Sequence, residues 1–460
     1  NLYSTASFQV TDNFGTYFEG MYFKSKGTEI VDQPIFNATV FGGLSAPITF
    51  SANDPRLTDQ ARSVLAANGI TSFRVSRASR DLVENNSSTE TQLYRAVFGG
   101  TLDFQVGDYD YVWDTSVTYG RSDADNFQTV LNQQNFINAM NVTRNAAGQL
   151  VCDPNGTLAI PGGGRPVADP NCRPIDIFGE GRSSAEGRNY VTGITEANSL
   201  LKQTVINTNV GGTLFEYWAG PVDFNLGYEY RKEEGRFTPN DFQVRGLGRA
   251  VPIGPNGGEF STDEFFAEFR IPLIGSQNEI PLFYSLDIEA KGRRVDNTVN
   301  GEFDTWTFGV QWRPIEELLL RGNQTRSLRA PSITELFTPT SSAFFFINDP
   351  CDSRFINSPS VPGGPAGPGS PRFENCQALF RSLGLIGQGQ TLTNFQATIV
   401  GASQQGITGG DTGLRNEDAK ASTFGFVWEP SFLPGLSLQM DYVEIDIRDA
   451  IGKLSGTQIA

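Results

Sequence analysis

The sequence predicts an all-β chain, a transmembrane antiparallel β-barrel with roughly twelve strands within these 460 residues and long extracellular loops. Three observations carry that expectation. Apolar and polar residues alternate over segments of roughly ten residues, the dyad period of a strand with two unlike faces. The links between those segments are by turns short and long. No run of about 18 apolar residues occurs, so no membrane-spanning helix is encoded, and the most apolar patch, Ala343-Phe344-Phe345-Phe346-Ile347, is far too brief.

In chain order, alternation is seen at Tyr111-Trp113-Thr115-Val117-Tyr119 and at Phe224-Leu226-Tyr228-Tyr230. It recurs at Phe265-Ala267-Phe269-Ile271-Leu273, at Leu282-Tyr284-Leu286-Ile288-Ala290 with Phe283 as its one exception, and at Trp306-Phe308-Val310-Trp312. Phe424-Phe426-Trp428 and Leu436-Leu438-Met440-Tyr442 complete the series. The intervening positions form the inward rows, with mixed charges such as Asp287, Glu289, Lys291 and Arg293 that suit a polar lumen better than a packed core.

Any antiparallel sheet with one wet face alternates, so the connections decide. Tight turns are expected at Asp12-Asn13, Gly107-Asp108, Ala219-Gly220-Pro221, Gly275-Ser276-Gln277, Pro314-Ile315-Glu316 and Pro430 to Pro434. Between them run long loops to about Thr91, Ser199, Glu259 and Lys420, and a modest one near Asp296. A barrel with tight periplasmic turns and free extracellular loops sorts its connections by parity, and a soluble sandwich has no reason to. Trp113, Trp218, Trp312 and Trp428 fall near tight turns, where a periplasmic aromatic girdle would sit. The stretches Pro161 to Pro166 and Pro362 to Pro371 read as Gly/Pro-rich surface loop, the first lacking the Gly-Lys-Ser/Thr of a phosphate loop.

A net charge of −16 argues against a nucleic-acid groove. The absence of histidine removes the usual general base and the commonest metal ligand, so Ser–His catalysis and His-ligated zinc or haem are excluded within this segment; no metal site and no cofactor are expected.

The stretch from Trp312 to Gly322, then Ser327-Leu328-Arg329-Ala330-Pro331-Ser332 and Glu335-Leu336-Phe337, resembles the TonB-dependent receptors, with Leu328 where that family has Phe. Leu414-Arg415-Asn416-Glu417 resembles the family's Leu-x-Pro-Glu box without its prolines. Asn171 to Gly179 and Phe266 to Leu273 are similar to signatures of a large proteobacterial subgroup. The resemblance covers about half the chain and marks Arg329, Ala330, Pro331, Leu414 and Glu417 as its motif. It implies a Gram-negative outer-membrane transporter of about 22 strands, plugged by an N-terminal domain and energised from the inner membrane. Its cargo would be a scarce nutrient such as a siderophore, oligosaccharide, cobalamin or peptide. The implied partners are outer-membrane lipid and lipopolysaccharide, and the TonB coupling protein acting through the plug. Residues 1–460 are then expected to be part of a single barrel domain, with plug and closing strands elsewhere.

By the same analogy the ligand path is expected near inward-facing Glu229, Arg231, Asp287, Glu289 and Arg321, with Phe344, Phe345 and Phe346 as stacking surface. Haem receptors of the family carry a histidine between the two boxes; this chain has none there, so haem taken up through barrel imidazoles is not expected. A passive porin or adhesin barrel is the first alternative. A soluble carbohydrate-active enzyme using Glu233-Glu234, or Asp287 with Glu289, is the second. The four cysteines fall within two long loops, Cys152 with Cys172 and Cys351 with Cys376. An oxidising folding route makes local disulfides the expectation among three possible pairings; zinc-knuckle spacing is lacking.

Overall fold

The structure is a computed structural model that describes residues 1–30, 35–36, 48–75, 77–78, 80–83, 86–158, 164–248, 252–357, 367–392, 394–397, 400 and 403–459. Residues 161–163 and 362–366 of the two Gly/Pro-rich loops lie outside the described residues, as does the side chain of Phe344.

One antiparallel sheet of twelve strands organises the chain, each strand pairing with its sequence neighbours. In order these are β1 (Leu2–Thr11), β2 (Phe14–Ile30), β3 (Asn86–Val106), β4 (Tyr109–Leu131), β5 (Thr192–Tyr217) and β6 (Gly220–Pro239). They continue as β7 (Asn256–Ile274), β8 (Ser285–Asn297), β9 (Gly301–Ile315), β10 (Leu318–Arg329), β11 (Glu417–Trp428) and β12 (Leu438–Arg448). Strands β3 to β6 run 20 to 26 residues. A tilted strand needs only about ten to cross a hydrocarbon layer, so these four project well past it on the long-loop side.

Register fixes two faces, because cross-strand partners share a side. Phe224, Phe269, Ala290 and Phe308 align on one face. Arg231, Thr262 and Asn297 align on the other. Apolar side chains such as Phe98, Phe265, Phe424 and Met440 lie more than 60% exposed on the first face. The buried hydrophobic clusters sit instead under the loops and at the rim. That is the inverse of a soluble sheet protein and the form a barrel wall takes.

Two details of the connections differ from the sequence reading. The turn expected at Gly275 to Gln277 runs on to Tyr284, with a 3₁₀ turn at Ser276–Asn278 and left-handed Glu279 and Leu282, so β8 opens at Ser285 and not at Leu282. Phe283 therefore breaks no strand alternation; it lies in the turn and packs on Trp312, ring centroids 5.5 Å apart. The loop expected near Asp296 is only residues 298–300, as short as the turns on the opposite rim. Parity of loop length holds at the other connections. Trp113, Trp218, Trp312 and Trp428 all sit at the tight-turn end, and the first three are anchored there or exposed: Trp113 and Trp312 each donate from the indole, to Thr208 and to the Leu282 carbonyl.

The loops carry the helices: α1 (Asp59–Ala67), α2 (Gln133–Met140), α3 (Ala185–Val191), α4 (Asp241–Val244), α5 (Ile333–Phe337), α6 (Pro371–Ser382) and α7 (Gly456–Ile459). Thr58, Asn132, Ser184, Asn240, Ser332 and Ser370 cap the first six through side-chain oxygens, which accept from otherwise unpaired first-turn amides.

Candidate functional site

On the polar face, β6 to β10 enclose a recess of about 630 Å³ whose wall carries Arg231, Glu233, Glu264, Phe266 and Arg293, with Ala330 to Ser332 at its upper edge. Strict alternation puts these side chains on one side of the sheet. Arg231 donates to Glu229 at 2.9 Å, and Asn207 holds the other oxygen of that carboxylate at 3.2 Å. Glu264 accepts from Thr262 at 2.8 Å and from Arg293 at 2.7 Å. The Arg293 guanidinium lies 4.8 Å from the Phe266 ring centroid, a cation–π contact. Arg231 Nε is buried with no hydrogen-bond partner among the described residues, which leaves one donor of the recess unspent there.

Above the recess, α5 rests on the same face. Two glycines admit it: a Cβ at Gly235 would come within 2.9 Å of Ile333, and one at Gly258 within 2.4 Å of Phe337. Ile333 and Leu336 bury with Phe260, and Leu414 packs against that cluster. Ser332 and Glu335 form a capping box, each side chain bonded to the other's amide.

Arg329, the last residue of β10, ties this together. Its guanidinium meets Glu417 at 2.7 and 2.9 Å and Glu335 at 2.9 and 3.1 Å. Glu417 also accepts from the Ile451 amide at 2.7 Å, and Pro331 is fully buried. Arg329 thus clamps both ends of the long β10–β11 loop and pulls the Glu335 carboxyl down to about 2 through its charged hydrogen bonds. The motif residues are the base of a loop: Arg329 to Pro331 at its start meet Leu414 and Glu417 at its end, through the Arg329–Glu417 bonds and the cluster of α5 with Leu414.

The expected path residues divide. Arg231 lines the recess, and Glu229 borders it as the acceptor of the Arg231 bond. Asp287, Glu289 and Arg321 lie farther toward the tight-turn end, where Asp287 faces Arg270 at 3.4 Å, Glu289 accepts from Gln311 at 2.9 Å and Arg321 holds Asp441 through two bonds of 2.9 and 2.7 Å. Phe345 and Phe346 stand apart from all of these. They belong to a strand, Ser341–Phe346, paired with Ser403–Thr408 in a hairpin separate from the main sheet, with Phe346 well exposed. Glu264 and Phe266 were not singled out from sequence; both follow from the odd-numbered outward row Phe265-Ala267-Phe269, but an inward phenylalanine masks the alternation. Glu233 and Glu234, adjacent in sequence, face opposite sides, Glu233 toward Gln203 and Glu234 toward Lys202. They cannot flank one bond.

The cysteines pair locally, Cys152 with Cys172 and Cys351 with Cys376. Among the described residues no group of three or more His, Cys, Asp or Glu could hold a metal ion.

No curated protein matches the chain significantly. Among solved structures it is similar to the siderophore receptor PirA from Acinetobacter baumannii, at 9% identity and a TM-score of 0.41 over 97% of this chain and 42% of that one. A mutant ferric enterobactin receptor, PfeA, from Pseudomonas aeruginosa aligns at 10% identity and a TM-score of 0.34, over 96% of this chain and 50% of that one. PirA from Pseudomonas aeruginosa aligns at 10% identity and 0.29, over 95% and 53%. The chain thus spans about half the length of these structures. The family described as TonB dependent receptor-like, beta-barrel matches residues 46–460, and with the polar and apolar faces of one twelve-stranded sheet beneath that match, the chain belongs to the β-barrel family of the TonB-dependent receptors.

Proposed function

We propose that this chain is the greater part of the barrel wall of an outer-membrane receptor of a Gram-negative bacterium, one that takes up a scarce nutrient with energy relayed by TonB from the inner membrane. The observation that supports this reading best is the charged and aromatic recess at the loop end of the polar face, roofed by α5 and clamped by Arg329. A lumen that only sieved solutes would gain nothing from an ordered roof over one wall. Glu229, Arg231 and the unspent Arg231 donor lie at the entry of the path, and Asp287, Glu289 and Arg321 lie along it toward the periplasm. Phe345 and Phe346 offer an aromatic surface on the loops outside. The cargo class stays at siderophore, oligosaccharide, cobalamin or peptide, and no covalent chemistry is required of the wall.

Accumulation of labelled candidate cargoes by cells carrying the full-length receptor tests this. Uptake should require the receptor gene and stop when the inner-membrane proton gradient is collapsed. Uptake that continues after collapse would establish the passive-porin reading instead. Arg231→Glu should lower uptake while leaving the barrel folded.

A further inference from the structure

Asparagine followed by glycine occurs four times, at Asn68, Asn155, Asn256 and Asn300. Glycine has no side chain to shield its amide nitrogen, which can attack the carboxamide carbon of the asparagine before it. The attack needs that nitrogen held close to the carbon and not committed to another acceptor. The dipeptide alone does not rank the four pairs; the fold does.

Three pairs are tied down. At the C-terminal end of α1 the Gly69 amide donates to the Ala66 carbonyl at 3.0 Å, and the Asn68 carboxamide donates to the Val64 carbonyl at 2.8 Å. The Gly156 amide donates to the Asp153 carbonyl at 3.1 Å, and Gly156 lies so close to Asn141 that a Cβ would strike its side chain. The Asn300 carboxamide donates to the Leu414 carbonyl at 2.8 Å, with Gly301 paired to Asn297 across the β8–β9 turn.

Asn256 is built differently. Strand β6 accompanies β7 as far as Phe237, opposite Asn256, whereas β8 reaches only Asn297, opposite Thr262. Above Thr262, β7 therefore has a strand on one side only, and alternate amides point to the side that has none. The Gly257 amide donates instead to the carboxamide oxygen of Asn256 itself, at 2.8 Å, which brings the nitrogen up to the group it would attack. Asn256 is half-buried and Gly257 exposed, so water and hydroxide reach the pair.

We propose that Asn256 is a site of spontaneous deamidation, selected by the fold over the other three pairs. Hydroxide takes the Gly257 amide proton, the nitrogen bonds to Asn256 Cγ, the bond from Cγ to Nδ2 breaks, and ammonia leaves with a proton from water. Water then opens the cyclic imide at either carbonyl and leaves aspartate or isoaspartate, so one water enters for each ammonia released. Isoaspartate lengthens the backbone by one carbon two residues before Gly258, the seat of Phe337, so the roof of the recess is where the change is felt. The inference is independent of what the receptor transports.

The test uses the full-length receptor, purified and folded in detergent, incubated in mildly alkaline buffer and mapped by peptide mass spectrometry, with isoaspartyl methyltransferase labelling to report the rearranged linkage. Asn256 should convert at least about tenfold faster than Asn68, Asn155 or Asn300, since misplacing reacting atoms by about 1 Å costs on the order of a hundredfold. In tryptic peptides of the same protein, where no fold orders the amides, the four rates should converge. Asn256→Gln, its folded barrel verified by heat-modifiable migration on gels, should lose most of the methyltransferase label. Conversion of another pair as fast as Asn256 in the folded receptor overturns the proposal. So does a label retained in full by the folded variant, or a preference for Asn256 that persists undiminished in the peptides, which would assign the selection to sequence neighbours.

Discussion

Two loop assemblies stand over the barrel wall, each closed by one disulfide, and they are built in opposite ways. In the first, the β2–β3 and β4–β5 loops share a single core: Ile48, Phe50, Leu82 and Val83 from one, Phe136, Ile137, Met140 and Ile175 from the other. At its centre the Arg56 guanidinium, 1% exposed, binds Asp54 through two bonds of 2.8 and 2.7 Å, donates to the Ile175 carbonyl at 3.3 Å and lies 5.2 and 5.3 Å from the rings of Phe50 and Phe178. Arg144 donates to the Pro55 carbonyl and the Gly181 amide to Asp81, two further ties across the same boundary. Its disulfide, Cys152–Cys172, is only half-buried and lies outside that core. In the second assembly the β10–β11 loop packs on itself. Cys351 and Cys376 are members of the core, with Ile356, Phe373, Phe380 and Leu392, and its buried charge is an anion, Asp352, held by Arg354 and by the Ala397 amide.

The contrast teaches what a cross-link does in each setting. A core recruited from two loops has enough apolar area to close without covalent help. A core drawn from one Gly/Pro-rich loop is too small, and the cross-link becomes part of its interior.

The largest expected effect breaks the first assembly. Arg56→Ala strands a buried carboxylate and should cost about 3–5 kcal/mol locally. Amide hydrogen exchange should then rise together at 48–51 and in α2, two loops apart in sequence, and stay unchanged in α6; a rise confined to 48–75 would show that the loops are not one unit. Next comes removal of each disulfide. Both close loops of similar length, with separations of 20 and 25 residues, and loop entropy alone predicts about 3 kcal/mol for either. Core membership predicts otherwise: Cys376→Ser should expose α6 to exchange and to protease, whereas Cys172→Ser should loosen only the Val142–Arg144 and Leu150–Cys152 hairpin. Equal responses would remove the distinction drawn above.

Smaller effects come from the acidic groups. Arg354 and the amides of Arg354 and Ala397 hold the Asp352 carboxyl well below the usual carboxylate range. A depressed folded value means stabilisation that is present above the unfolded value of about 4 and lost as pH falls through the folded one. Exchange protection in α6 should therefore be flat from pH 7 to 5 and fall only in stronger acid. Asp352→Asn, which loses the charged bonds, should weaken α6 by about 2 kcal/mol and flatten that response; protection already declining between pH 7 and 5 in wild type would contradict it. The smallest effect is expected at the barrel rim. Glu335, at about 2, keeps its contribution from neutral pH until acidification passes below about 4. Glu335→Gln should cost α5 about 1 kcal/mol, because Arg329 retains Glu417 and the capping geometry survives in part. Chymotryptic sensitivity at Leu336 and Phe337 reads that change, and a loss as large as that from Arg56→Ala would refute the ranking.

Much of this molecule is legible along the chain because a strand's two faces are set by a period of two, which survives any amount of tertiary context. Leu226-Tyr228-Tyr230 and Glu229-Arg231 declare their sides unaided, and with them the antiparallel sheet of twelve strands, the tryptophans at one rim and the sequence-local cysteine pairs. The exception at Leu282 shows the limit: the alternation runs through a turn because Leu282 adopts a left-handed backbone that no pattern of side chains announces. What only the tertiary structure decided involves residues far apart in sequence whose approach depends on register and loop folding. Strand pairing brings Glu229 beside Glu264, and register sets Arg293 against Phe266; packing lowers α5 onto Gly235 and Gly258. Arg56 of one loop enters the core of another because a buried guanidinium needs partners that its own segment supplies only in part. Local chemistry determines which way each side chain points, and long-range closure determines what it meets there.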